Sequence, residues 1–158
     1  MNWGRIAVIA IAASAIIGGA GLYYLQVYGF YSRIDPEGVE LTAAIDGDQI
    51  PLPIASFEGI DATSSPLRWR ACAHLATPVD ETTLTPYPDA TPLNGPGWFD
   101  CYDAGHITED LASGAATAYL GTSEIRPDVD RVIAIYPDGR AFGWHQYNDK
   151  DPERGVMD

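Results

Sequence analysis

The sequence predicts an α+β protein: an N-terminal transmembrane helix followed by a small antiparallel sheet with one packed helix and long proline-rich loops. Three observations lead to this prediction. Residues 6–25 form an apolar run without a charged side chain. Residues 67–74 alternate between two faces, and residues 131–147 contain two strand-like runs around a turn. Residues 106–119 repeat apolar side chains at intervals of three and four, which is typical of a helix.

The composition indicates a folded domain that does not bind nucleic acid. With 46% hydrophobic and 11% aromatic residues, the chain is too apolar to stay disordered. Its 22 acidic and 9 basic residues give a net charge of -13. Such a surface repels phosphate backbones, so we expect no nucleic-acid partner.

The apolar run "IAVIAIAASAIIGGAGLYYL" at 6–25 would rise about 30 Å as a helix, which matches the hydrocarbon core of a bilayer. A cleavable signal peptide is the alternative, because Arg5 precedes an apolar run with small residues. Apolar and aromatic residues continue beyond any such cleavage site. We therefore expect residues 1–31 to be an uncleaved, single-span anchor.

Small side chains recur every four residues within the span, at Ala10, Ser14 and Gly18. They form a face on which another helix can pack closely, although small residues are common in any spanning helix. The partner expected on this face is another inner-membrane protein.

The expected location is the inner membrane, with the C-terminal domain in the periplasm. Arg5 places the amino terminus in the cytoplasm by the positive-inside rule. Two cysteines in an otherwise cysteine-free chain agree with an oxidising compartment.

The exported part divides into a juxtamembrane linker at 32–38, a domain at 39–147 and a polar tail at 148–158. Residues 39–45 predict a strand, and "DGDQ" at 46–49 predicts a hairpin turn.

Residues 50–57 contain two prolines, which cannot donate backbone hydrogen bonds to a neighbouring strand. The segment is therefore predicted to form an edge strand or an extended arm. Residues 59–66 read as a loop. In the strand at 67–74, Trp69 and Ala71 lie on the single face expected to be buried.

Residues 77–97 contain five prolines and no regular period, so they predict a long loop that another part of the chain must hold. The helix predicted at 106–119 is the one expected outside the membrane. The strands at 131–136 and 140–147 flank a "PDG" turn and form the clearest hairpin.

Each cysteine has a histidine downstream, Cys72 with His74 and Cys101 with His106. The alternatives are a disulfide, a Cys2His2 zinc site and free thiols. The spacings are uncommon for structural zinc, so the sequence favours a disulfide. We expect no metal and no other cofactor.

His145 is a weak catalytic candidate. The chain has no G-x-S-x-G elbow and no H-E-x-x-H motif. Whether the protein is an enzyme stays open, and the sequence favours a protein without catalysis. The alternative is a small-ligand or enzymatic cleft near His145 and Arg140, with His74 and His106 as further ligand candidates.

Arginine and tryptophan are enriched at interface hot spots. The arginines and tryptophans that we predict to contact a partner protein are Arg68, Arg70, Trp98, Arg140 and Trp144. The competing interpretation is that the tryptophans form the core of a small domain and the arginines balance nearby acids.

The segments "YSRI", "GIDATSSPLRWRAC", "GWFDCYDA" and "DRVIAIYPDGRAFGWHQYN" resemble a family of uncharacterised alphaproteobacterial proteins, anchored by a single span and carrying a domain of unknown function. The resemblance implies a bacterial inner-membrane protein and brings no activity or catalytic residue. The first hypothesis is a membrane-tethered periplasmic interaction module, an accessory or assembly component of an inner-membrane complex. The second is a periplasmic enzyme or ligand-binding domain, which convergence of the three histidines would favour.

Overall fold

The computed structural model describes residues 2–148 and separates into two compact units, one ending at Tyr31 and the other beginning at Ser32. In the first unit, helix α1 (Trp3–Tyr24) continues into a π-helical turn, Leu25–Gly29. Together they form 27 residues with no buried side chain, and an 18-residue stretch within them has a mean hydropathy of 2.1. By length and composition this helix can cross a membrane, as either an anchor or a signal sequence.

The second unit contains helix α2 and the strands, except for Tyr31, the first residue of β1, which belongs to the first unit. Their bounds, in chain order, are β1 (Tyr31–Arg33), β2 (Thr42–Ile45), β3 (Asp48–Pro51), β4 (Ile54–Ala62), β5 (Arg70–Leu75), α2 (Ala104–Ser113), β6 (Thr117–Arg126), β7 (Val129–Ile135) and β8 (Arg140–Tyr147). Six strands form one sheet in the order β1-β4-β5-β8-β7-β6, and β2 and β3 form a separate hairpin. The four pairs from β4 to β6 are antiparallel, so the predicted α+β class is confirmed.

Both short hairpins occur where the sequence predicts them. Asp46 and Gly47 have φ angles of 50° and 92°, which suit a tight two-residue turn between β2 and β3. Pro137 to Gly139 join β7 and β8, and Gly139 has a φ of 88°. At 50–57 the two prolines act as expected, because β3 ends at Pro51 and β4 begins only at Ile54.

The predicted loop at 59–66 is wrong in its first half, because β4 continues to Ala62. Gly59 is not a turn residue. The Phe57 ring lies across it, and a Cβ at Gly59 would approach that ring to 2.6 Å. A 3-10 turn follows at Pro66–Arg68, so the next strand begins at Arg70.

The predicted helix at 106–119 is wrong in its second half. The real helix α2 is capped by the Asp103 side chain, which accepts a hydrogen bond from the His106 backbone N–H. It ends at Gly114, whose φ of 78° is left-handed. The residues from Thr117 onward pair with β7 as strand β6. Pairing with a free sheet edge outweighs the helical spacing of small residues, which fit either structure.

The sheet is buried on both faces. The β2–β3 hairpin covers one face, where Leu41, Ala43 and Leu52 join the main hydrophobic core. The other face carries Cys72, Phe142 and Trp144, and it is covered by the proline-rich loop and α2. The expectation of a single buried face on β5 is therefore wrong, since Trp69 and Arg70 are both buried.

Candidate functional site

The two cysteines bond to each other. Cys72 on β5 and Cys101 before α2 form a disulfide with their Cα atoms 6.3 Å apart, which links the proline-rich loop to the sheet. Their sulfurs are consequently not available as thiolate ligands. Nearby, His74 Nδ1 lies 3.2 Å from the Leu75 carbonyl oxygen. Within residues 2–148, no group of three or more potential ligands is arranged to hold a metal ion.

Two side chains that the sequence did not single out for this purpose also hold the loop. Arg70 donates from Nε to the Leu93 carbonyl at 2.7 Å and from Nη2 to the Asn94 carbonyl at 3.0 Å. Gln146 accepts from the Thr91 backbone N–H at 2.8 Å and donates to the Asp89 carbonyl at 3.1 Å. Side-chain groups thus satisfy loop backbone that has no regular partner.

Two of the predicted partner contacts are wrong, because their side chains are buried. Trp144 is completely buried and donates its indole N–H to Gln146, while Arg70 is 3% exposed. Neither side chain can form a direct contact with another protein. For Trp144 the competing core interpretation is confirmed.

Three of the proposed contacts remain accessible. Arg140 is exposed and lies over the Tyr136 ring at 4.4 Å, and Arg68 is half-buried in its 3-10 turn. Trp98 is half-buried, with the Arg33 guanidinium 5.6 Å from its ring.

The three histidines do not converge. His106 lies on α2 with its Nε2 3.4 Å from Asp110, and His74 is exposed on β5. By strand alternation, His74 and His145 point to opposite faces of the sheet. Arg140 and His145 are also on opposite faces, so they do not line a common cleft. Dispersal of these side chains was the observation expected of an interaction module.

A different cluster surrounds His145. Its ring stacks on Trp69 with the centroids 4.8 Å apart, and the Arg131 guanidinium carbon lies 4.1 Å from the centre of the same Trp69 ring. Gly143 permits this arrangement, because a Cβ there would approach the Trp69 ring to 2.7 Å. The three side chains come from β7, β8 and the residue preceding β5.

Hydrogen bonds fix the tautomer of His145. Nδ1 lies 2.7 Å from the Pro66 carbonyl oxygen, which only accepts, so Nδ1 carries the proton. Nε2 is then a free acceptor, and the Nε–H of Arg131 donates to it at 3.1 Å. The imidazole is therefore neutral, with both nitrogens occupied.

The pKa of His145 is lowered to about 4, mainly by burial and also by the positive charges of Arg131 and Arg70, against the opposing effect of the Pro66 carbonyl. Burial likewise lowers the pKa of Arg131, which the Asp61 carboxylate partly offsets. His145 is thus held as a neutral acceptor rather than as a proton donor near pH 7.

The pairing of Arg131 with His145 could be predicted from the sequence. In the β7–β8 hairpin, the predicted turn at residues 137–139 implies the register that places Arg131 opposite His145. Trp69 joins through the β5–β8 pairing, in which Arg70 lies opposite Trp144. No local pattern specifies that long-range register.

The depressed pKa of His145 predicts a stability loss in mild acid. The unfolded chain binds a proton near pH 6.5 and the folded chain only near pH 4, so the stabilisation is complete above pH 6.5 and disappears as the pH falls through that interval. The expected loss is about 3 kcal/mol. Urea unfolding measured from pH 7.5 to 4 should show this slope in the wild type and in His106→Gln, and a flatter curve in His145→Gln. Equal slopes in all three proteins would contradict the assignment.

One comparison with known proteins yields a match: the model of a family of unknown function (DUF6446) covers residues 39–154. The chain belongs to this family. No curated protein and no solved structure matches it. The region matched to the DUF6446 family contains both cysteines and the Trp69, Arg131 and His145 cluster, whereas helix α1 precedes it.

Proposed function

We propose that this protein is a membrane-tethered interaction module, with α1 as its anchor and the disulfide-linked domain on the oxidising, periplasmic side of a bacterial inner membrane. The observation that carries the proposal is the pairing of a fully exposed apolar helix with a disulfide-closed domain in one chain. Disulfides persist in exported compartments and are reduced in the cytosol. Arg5, ahead of the helix, agrees with a cytoplasmic amino terminus.

The proposed role is an accessory or assembly component of an inner-membrane complex. Residues 2–148 contain one helix that can span a membrane, so no second spanning helix from that region can pack on the face formed by Ala10, Ser14 and Gly18. Close helix packing in lipid uses such small residues. Gly18 has open space around it, since a Cβ there would meet no atom within 4 Å. The Ser14 hydroxyl bonds to the Ala10 carbonyl within the helix, so it leaves no unsatisfied donor toward a neighbour.

Photo-crosslinking in intact membranes tests this role. A photoreactive residue at position 14 should give one discrete adduct with another membrane protein, because it lies on the small-residue face. The same residue at position 16, on the opposite side of the helix, should give little or none. Gly18→Leu should abolish the adduct from position 14 while leaving the chain in the membrane. Equal adducts from both positions, or an adduct unaffected by Gly18→Leu, would contradict a specific helix contact.

A further inference from the structure

A cleft of about 710 Å³ opens beside the His145 cluster, on the side of the domain where the end of β4 meets the β6–β7 turn. Asp61, Pro66, Ile125, Arg126, Arg131 and His145 are among the residues that line it. Its volume is within the range of sites that hold small organic molecules. Its lining is about equally polar and apolar, and it includes three charged side chains, Asp61, Arg126 and Arg131.

Arg131 is positioned in this cleft by its neighbours. Its Nε–H donates to His145 Nε2, and its guanidinium carbon lies over the Trp69 ring, 4.1 Å from the ring centre. His145 is itself fixed by the Pro66 carbonyl. The guanidinium is therefore held by two contacts, so less side-chain entropy remains to be lost when a ligand binds.

The two terminal nitrogens of Arg131, Nη1 and Nη2, make no hydrogen bond to any residue between 2 and 148, and Arg131 forms no ion pair with a carboxylate of that region. A half-buried arginine normally has such a partner, because removing its charge from water is costly. Asp61 acts on Arg131 only at longer range. With respect to residues 2–148, the cleft thus presents a fixed cation whose terminal donor pair has no partner.

We propose that this cleft binds a small organic carboxylate, whose two oxygens accept hydrogen bonds from Nη1 and Nη2 of Arg131. The planar donor pair matches the two coplanar oxygens of a carboxylate. Ile125 and Pro66 provide apolar walls for the rest of the molecule, and Arg126 adds positive charge at the rim. Asp61 in the same lining repels a phosphate dianion more strongly than a monocarboxylate.

The resonance of the Arg131 Nε–H provides a direct readout, because this proton is hydrogen-bonded to His145 Nε2 and should therefore exchange slowly with water. We would titrate the full-length, non-reduced chain in detergent micelles with L-lactate, L-alanine, succinate and inorganic phosphate in separate experiments. At least one carboxylate should shift this resonance saturably, with a Kd below about 10 mM, and phosphate should bind at least 10-fold more weakly. Saturable binding by phosphate alone, or by none of the four, would overturn the proposal.

Variants separate the donor pair from general positive charge. Arg131→Lys keeps the charge and loses the planar fork, so the Kd of the carboxylate measured by calorimetry should rise at least 10-fold. Arg140→Lys, on the opposite face, should leave the Kd unchanged and serves as the matched control. Equal affinity in the wild type and Arg131→Lys would overturn the assignment even if a carboxylate binds.

Discussion

Cys72→Ala, Cys101→Ala and the double variant should each lower the free energy of unfolding by about 3.5 kcal/mol, because removing either sulfur opens the same loop. The bond joins residues that are 29 apart in the sequence, and the loop between them has little regular structure. Without it, the unfolded chain gains conformational freedom that the folded domain does not share. Denaturant titration of the four proteins measures the effect directly.

Two controls test whether this loss of stability comes from the disulfide. Reductant should destabilise the wild type by the same amount and leave the double variant unchanged, since the bond is already absent there. His74→Ala and His106→Ala should cost much less than a cysteine variant, because both histidines are exposed. A histidine variant as damaging as a cysteine variant would instead support the metal-site alternative.

Arg70→Met should be about as damaging, with a loss of about 3–5 kcal/mol. The Arg70 side chain donates to the backbone carbonyls of Leu67, Trp69, Leu93 and Asn94. Methionine fills a similar volume but leaves these buried acceptors without their donor. The loop around Leu93 should then detach from the sheet, which amide hydrogen exchange would report as faster exchange at residues 91–95.

Arg70→Lys distinguishes the donor geometry from the charge. Lysine keeps the charge, but its single ammonium cannot replace both the donors to Leu67 and Trp69 and the donors to Leu93 and Asn94, so we expect only partial rescue. Arg140→Met is the matched control at an exposed position of the neighbouring strand and should change stability by less than about 0.5 kcal/mol. Similar losses in Arg70→Met and Arg140→Met would show that the carbonyl contacts contribute little.

The sequence predicts an element correctly where the residues that determine it lie close together in the chain. The apolar run of α1, the Asp46-Gly47 turn and the turn at residues 137–139 each lie within a short segment, and the structure confirms all three. The cysteine pair was also accessible, because a chain with two cysteines allows only one intramolecular bridge.

Long-range pairing accounts for the errors. The predicted helix extends over residues 117–119, the first three of β6, because small residues there continue the spacing of α2, and only pairing with β7 decides their structure. The prediction of Arg70 as a surface contact is wrong because the sequence does not distinguish an arginine that binds loop carbonyls from an exposed one. Arg131 escaped attention for a similar reason, since its role depends on Trp69 from a distant strand end.

The central claim is that an anchored chain carries a domain folded in an oxidising compartment, and the thiol state of the chain in its own membrane tests this most directly. Cells would be quenched in acid, the membranes washed with carbonate, and free thiols labelled with a mass tag before and after reduction. We expect the full chain to remain in the washed membranes with no tag before reduction and two tags after it, one for each cysteine. A chain released by carbonate, or one that carries two tags before reduction, would contradict the claim.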